Sequence, residues 1–340
     1  MTLKEIAQEA GVSISTVSRV VNKNSPGAAS KDVQDKIWEI VRRTGYTPNS
    51  TARTLKLGEH EAAQPSRSIA CMFARTEDIV TDQFFTSLSR SIEQEAFKRN
   101  YVLKYSFSAF DVSHSSTFRL IMDNHVDGVV ILGRCDKPLL KMLKQYFNNV
   151  VYTGLNSLNA KYDQIICDGH DAAKEAVEYL FQLGHKKIAY IGETQSENRY
   201  LGYCDALSAH RIPLQKAYTC NVHLSSESGY QGTKKLLEQG CDATAYFCAN
   251  DITAIGAMRA LQESGYSIPG DVSVISIDDI DMAQYMTPML TTMHIPVEEM
   301  GQMTAKILID RIEGGHRLPV QVNLPFYTAI RDSCAPPKRT

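Results

Sequence analysis

Six side chains in the stretch GVSISTVSRVVN, residues 11–22, have types suited to recognition rather than to bond breaking: Ile14, Ser15, Thr16, Ser18, Arg19 and Asn22. They are mostly short polar groups around one long cation, a mixture that hydrogen-bonds to flat polar edges and to anionic oxygens. No G-x-G-x-x-G, G-x-x-x-x-G-K-[ST] or G-x-S-x-G is present, so nothing signals dinucleotide, nucleoside triphosphate or serine-hydrolase chemistry. The eight cysteines, at 71, 135, 167, 204, 220, 241, 248 and 334, form no C-x-x-C pair and no Cys/His cluster of zinc-finger spacing. Several sit in apolar strand-like runs, so buried free thiols are expected, with no metal and no cofactor.

Positioning those six side chains takes a short helix held by others. Thr2 followed by Glu5 reads as a capping box, and Leu3, Ile6, Ala7 and Ala10 recur at helical spacing before Gly11 ends the pattern. After one turn Ser13 can cap a second helix whose Val17, Val20 and Val21 face inward, leaving the six on its outer face. Two short helices joined by a Gly turn describe a helix-turn-helix, whose second helix enters the major groove. A small helical hairpin with no such role has the same spacing. The next segment adds a third helix, capped by Ser30, with Val33, Ile37, Ile40 and Val41 on one face and an end at Thr44-Gly45 before Pro48. Charge separates this module from the rest. Residues 1–58 hold nine Lys or Arg against five Asp or Glu, and the remainder 27 against 33, so an anionic partner is expected for the module alone.

The 340 residues exceed one ordinary core, and the hydrophobic fraction of 43% is that of a folded globular chain. The N-terminus is charged and amphipathic rather than a signal peptide, and no apolar run reaches the ~18 residues of a membrane span, so a cytoplasmic location without membrane contact is expected. NSTARTLKLGEHEAAQPSRS, residues 49–68, reads as a linker in which Ser50 to Leu57 can form one short helix that folds when docked. From Ser68 onward apolar runs such as SIACMFAR, DGVVILG, QIICD, KKIAYIG, ATAYFCA and DVSVISI alternate with amphipathic helical ones. A polar helix is expected near 114–124. Continuous apolar strands separated by helices imply α/β architecture with parallel sheets covered on both faces. The strands outnumber those of one such domain, which suits two similar halves facing a cleft; a single large doubly wound enzyme has the same alternation.

GVSISTVSRVVN, GYTPNSTARTLK, ANDITAIGAMRAL and VISIDDIDMAQYMTPMLTTM together closely resemble the lactose/galactose repressor family of bacterial transcription regulators, over Thr2 to about Ser333. The resemblance implies a helix-turn-helix headpiece at 1–48, a hinge helix and linker at 49–67, a two-lobed periplasmic-binding-protein-like body at 68–333 and a short tail at 334–340. It implies a dimer on a two-fold symmetric operator, with a small ligand, usually a sugar, in the cleft. CAPPKRT, after Ser333, holds no heptad repeat, so a dimer rather than a tetramer is expected.

By the same resemblance Ile14 and Ser15 stand where the family discriminates operators; Ser15 can bond to a base edge and Ile14 can press on a thymine methyl. Thr16, Ser18 and Asn22 suit phosphates, and Arg19 either takes a guanine bidentately or holds the backbone. Thr2 and Asn49 join the DNA-contacting set. Leu55 resembles the hinge leucine that wedges into the minor groove, with Arg53 and Lys56 on the phosphates and Ala52 small enough for two hinge helices to meet; otherwise Leu55 merely caps the headpiece's third helix. Trp38, the single tryptophan, is expected to report DNA binding by its fluorescence.

Candidate effector contacts are Arg199, a rigid fork for two hydroxyls, Asp278 as an acceptor and Asn250 as donor and acceptor, with Phe84 and Phe85 as aromatic faces and Asp82 and Asn156 as weaker candidates. Asp251 and Asp279 read as helix caps or structural acceptors. Leu224 departs from the aromatic residue that family members often carry before S-G-[YF], and leucine gives a purine no π face. A sugar is therefore favoured over a nucleobase, although His223 or Phe247 could compensate. A DNA-binding repressor set by a carbohydrate leads; a regulator answering a phosphoprotein partner, a sugar carrier and a sugar-modifying enzyme are the alternatives. The enzyme would need an acid/base pair, and neighbours such as Asp278 and Asp279 point different ways on a strand end.

Overall fold

The structure, a computed structural model, describes residues 2–22, 29–44, 46, 67–74, 82–110, 121, 123–135 and 137–338. The chain divides into two compact units, one of residues 1–153, 160–164 and 301–320, the other of 154–159, 165–300 and 321–340.

The first unit opens with α1 (Leu3–Ala10), α2 (Ile14–Asn22) and α3 (Lys31–Thr44). The capping box forms: the Glu5 N–H donates to Thr2 Oγ1 and the Thr2 N–H to Glu5 Oε2 at 2.8 Å. Ile6, Val17 and Ile37, all fully buried, meet as one apolar centre, which supplies the tertiary packing that such short helices need. Trp38, 3% exposed, belongs to that centre. Arg43 of α3 pairs with Glu9 of α1.

β1 (Ser68–Phe73), α4 (Gln83–Lys98), β2 (Val102–Ser108), β3 (Gly128–Leu132), α5 (Lys137–Tyr146), β4 (Val150–Gly154) and β5 (Asp163–Cys167) follow. They lead into α6 (Gly169–Gln182), β6 (Ile188–Gly192), α7 (Asn198–Ala209), β7 (Thr219–Asn221), α8 (Ser226–Glu238), β8 (Ala245–Cys248), α9 (Asp251–Glu263) and β9 (Ser273–Asp278). β10 (Thr291–His294), α10 (Val297–Ile312), β11 (Gln321–Leu324) and β12 (Tyr327–Ala329) complete the chain. Two six-stranded sheets result, in the orders β11-β5-β4-β3-β1-β2 and β12-β10-β9-β8-β6-β7. β1 pairs in parallel with β2 and β3, β8 with β6 and β9, while β12 runs antiparallel to β10. β1, β3, β6, β8 and β9 are buried throughout, as strands covered on both faces must be, whereas edge strand β11 is exposed at every other residue and edge strand β2 is so over its first five residues. The helix expected near 114–124 and the one expected at Ser50 to Leu57 fall mostly or wholly outside the described residues. No described helix is long and apolar enough to cross a membrane.

In the second unit, α8 and α9 cross at touching backbones. A Cβ on Gly229 would lie 2.2 Å from the Thr253 carbonyl oxygen, and one on Gly256 would lie 1.9 Å from that of Ser226. Only glycine permits this approach. It holds the first turns of α8 and α9 side by side, each with its preceding loop. The tail is anchored as well. The Ala335 carbonyl lies 2.9 Å from His185 Nε2, the Ala335 N–H donates to Ser273 Oγ at 3.0 Å, and fully buried Ser333 donates to the Val274 carbonyl at 2.6 Å.

Candidate functional site

Capping and packing set the outer face of α2. Ser13 Oγ accepts the Thr16 N–H at 3.1 Å, which satisfies a first-turn donor, and lies 2.8 Å from the Ser15 and Thr16 hydroxyls. Burial of Val17, Val20 and Val21 fixes the helix rotation. Ile14, 49% exposed, then stands outward with Ser15 and Arg19, while Thr16 and Ser18 are half-buried. Arg19 Nε donates to the Ser15 carbonyl at 3.3 Å, which draws the cation back along the helix toward that pair. The surface thus joins an apolar branched group, hydroxyls and a guanidinium within two turns, the requirements for contact with a thymine methyl, base edges and phosphates. Thr2, exposed, is occupied as the cap of α1. Asn22 ends α2 with its side chain outside the described residues, as are Asn49, Ala52, Arg53, Leu55 and Lys56.

In the second unit Asn156, Arg199, Asn250 and Asp278 come together where strands end. Arg199, 4% exposed, lies in the first turn of α7. Its Nε and one terminal nitrogen donate to the two carboxylate oxygens of Glu197 at 2.8 and 3.1 Å, and the other terminal nitrogen donates to the Ala249 carbonyl at 2.9 Å. The last bond draws the loop after β8 against α7. Asn250, next in that loop, caps α9: its Oδ1 accepts the Thr253 N–H at 3.1 Å and the Thr253 hydroxyl at 2.6 Å, which leaves the amide NH2 to serve a ligand. Asn156, in the loop after β4, accepts the Asn198 N–H at 3.4 Å. Asp278, 4% exposed, ends β9 close enough for its charge to act on Arg199. Burial disfavours the Arg199 charge, but the Glu197 carboxylate more than offsets this and raises the guanidinium above its ordinary pKa.

Asp278 and Asp279 have φ of 131° and 59°, conformations that side-chain-bearing residues hold only when their surroundings enforce them. The enforcing groups are close by. Fully buried Asp251 accepts the Ile280 N–H at 2.9 Å and the Thr292 hydroxyl at 2.6 Å, and also bonds Ser276 Oγ. Burial raises its carboxyl above the usual range. Asp279 bonds His294 Nδ1 at 2.9 Å and pairs with Arg331. Both aspartates act as structural acceptors, and the cap of α9 is Asn250 rather than Asp251.

Leu224, half-buried, lies between β7 and α8 beside exposed His223. Phe247 is fully buried, its ring 5.7 Å from Tyr190 and 6.4 Å from Tyr203, so it serves the core and offers no loop face. In the first unit Asp82 caps α4 through the Phe85 N–H at 3.2 Å, and Phe84 is buried at 5.2 Å edge-to-face from Phe85. Phe85 lies over Gly133, just beyond β3, where a Cβ would sit 2.6 Å from its Cζ. Among the described residues Asp168, His170 and Asp171 group like metal ligands, but Asp168 caps α6 and His170 is bonded to Asp171 and Asp205.

Glu197 escaped the reading from sequence. Its signal was present: an acidic residue at a helix start, two positions before the arginine it orients, in SENRY.

Residues 2–49 match the model of bacterial regulatory proteins of the lacI family, and residues 177–334 that of a periplasmic binding protein-like domain. Over 319 residues the chain is 31% identical to the HTH-type transcriptional repressor PurR of Photorhabdus laumondii, covering 92% of this chain and 90% of that protein. The chain belongs to the LacI family of bacterial regulatory proteins. Similarity to LacI-family structures extends along the length. The transcriptional regulator CelR in complex with cellobiose aligns with a TM-score of 0.74 at 26% identity, covering 98% of this chain and 99% of that one. A lac repressor dimer bound to operator and the anti-inducer ONPF gives 0.70 at 26%, with the same coverage. This LacI-family chain is a DNA-binding transcriptional regulator and not an enzyme.

Proposed function

We propose that the chain acts as a homodimeric repressor whose hold on a two-fold symmetric operator is set by a small carbohydrate. Residues 1–48 serve as headpiece, 49–67 as hinge and linker, 68–333 as the effector-binding and dimerising body and 334–340 as tail, with the whole working in the cytoplasm where its DNA lies. The convergence of Arg199, Asn250, Asn156 and Asp278 carries the effector reading. A forked cation, an amide and a carboxylate within one set of strand-end loops match a molecule that presents several hydroxyls, each both donor and acceptor. The cellobiose held by CelR supports the same class. Leu224 and the burial of Phe247 speak against a purine, which needs a π face.

Leu55→Ala tests the DNA half. With an operator selected from a random duplex pool, the variant is expected to fold normally and to lose at least about tenfold in specific affinity, roughly 1.4 kcal/mol. Non-specific binding should hardly change, because the wedge is removed and the phosphate contacts stay. Equal operator affinity in variant and parent would remove Leu55 from the hinge role. Replacing Ile14 and Ser15 together should instead change which operator the pool yields, at roughly 1–3 kcal/mol per lost base contact.

A further inference from the structure

A helix ends on four carbonyls that have no donor within it, and those of α3 begin at Val41. Thr44 Oγ1 turns back to the Ile40 carbonyl at 2.7 Å and to that of Val41 at 3.4 Å. A further donor comes from far along the chain. Tyr146, the last residue of α5 and 105 positions beyond Val41, donates its phenol O–H to the Val41 carbonyl at 2.8 Å, with the Arg42 carbonyl at 3.3 Å. One hydroxyl thus ties the three N-terminal helices to the α/β part of the same unit. Both ends of the bond are held. α5 is seated by buried Leu143 and by the Tyr162 phenol, which donates to the Leu140 carbonyl at 2.8 Å, while Ile37, Trp38, Ile40 and Val41 bury α3 among the N-terminal helices. Burial pushes the Tyr146 phenol up to about 12, against a smaller opposite pull from Arg42, so it keeps its donating proton at neutral pH. The contact leaves the outer face of α2 clear: Ile14, Ser15 and Arg19 are exposed with it in place. It therefore does not hide the surface suited to DNA, and it removes orientational freedom that these helices would otherwise lose on binding.

We propose that Tyr146 is a positioning residue for DNA binding, which seats the headpiece on the first unit through the end of α3 and so presents α2 in a fixed direction. The proposal rests on residues 1–48 being the headpiece, and it adds a second link beside the linker at 49–67.

The test uses the full-length protein and Tyr146→Phe, which keeps the ring and removes only the hydroxyl. Trp38, the single tryptophan, lies in α3, so its time-resolved anisotropy follows the motion of the headpiece. Without DNA, Trp38 of the parent is expected to depolarise with the tumbling of the whole molecule, and that of the variant to show an added, faster component. Affinity for a pool-selected operator should fall about fivefold, within the range of one net hydrogen bond, while the melting temperature stays within about 2 °C of the parent's. Unchanged Trp38 depolarisation in the variant overturns the proposal, as does operator binding that is unchanged or tighter; the last result would make the contact inhibitory. A headpiece that already moves independently in the parent overturns it without any variant. A parent that selects no operator would instead defeat the headpiece reading, and with it the role in DNA binding, even where the depolarisation shows α3 docked.

Discussion

Arg199→Ala is expected to cost about 3–5 kcal/mol of folding free energy, the range for removing one partner of a buried ion pair. For a chain of this size that lowers the melting temperature by roughly 4–7 °C. Glu197 would be left fully buried without its guanidinium, and the Ala249 carbonyl would lose its donor at the turn into α9. Loss of effector response in this variant would then mix a missing ligand contact with a loosened loop, whereas Arg199→Lys keeps the charge and loses the fork, which makes it the cleaner probe of recognition. Adding Glu197→Gln to Arg199→Ala should recover part of the lost stability, since the stranded charge disappears. Differential scanning calorimetry of the parent, both single variants and the double variant completes the cycle. A single variant as stable as the parent would show that the pair does not brace α7.

The second large effect is expected at the start of β5. Asp163, fully buried, accepts the Val320 N–H at 2.8 Å, a terminal nitrogen of Arg311 at 2.8 Å and His316 Nε2 at 3.1 Å, and pairs with Arg311 Nε as well. One carboxylate thereby ties β5, α10 and the segment leading into β11. Asp163→Ala should cost about 3–5 kcal/mol because Arg311, mostly buried, keeps its charge without its partner. The pH dependence has a definite sign. Burial opposes the Asp163 charge, but Arg311, the Val320 N–H and His316 prevail and hold its carboxyl below the usual range. Its contribution is therefore full above the unfolded pKa near ~4 and is lost as pH falls through the lower folded value. His316 is shifted upward, chiefly by its hydrogen bond to Asp310. That contribution is full below the unfolded value near ~6.5 and is lost as pH rises through the folded one. The cluster should stabilise most between these two limits, and Asp163→Ala should abolish the acid-side loss that it causes. An unchanged acid limb in urea melts of the variant would contradict the assignment.

Much of the architecture was legible because its signals are local. The Thr2 and Glu5 box, the inward valines of α2 and the apolar runs that became β1, β3, β6, β8 and β9 each depend on a few adjacent residues. The strands β4 and β10 to β12 were not legible. β4 follows closely on α5, β10 to β12 span three or four residues each, and β11 and β12 show little continuous burial. α10 went unread although Met300, Leu308 and Ile309 carry helical spacing. In the candidate effector site, Arg199, Asn250 and Asp278 could be picked out by type and loop position. Their restraints could not: the Glu197 grip, the Asp251 bracing and the backbone strain at Asp278 arise from residues that only folding brings together.

The central claim is that a sugar bound in the body changes how tightly the headpieces hold DNA. A ligand shifts that equilibrium only through different affinities for the two arrangements of the dimer. The direct measurement is the fluorescence anisotropy of a labelled, pool-selected operator titrated with full-length protein, with and without a saturating neutral sugar already shown by calorimetry to bind. The operator dissociation constant is expected to change at least about tenfold, a coupling of roughly 1.4 kcal/mol, and the sugar's own affinity to change by the same factor when operator is present. A sugar that binds fully yet leaves the operator dissociation constant unchanged would contradict the account.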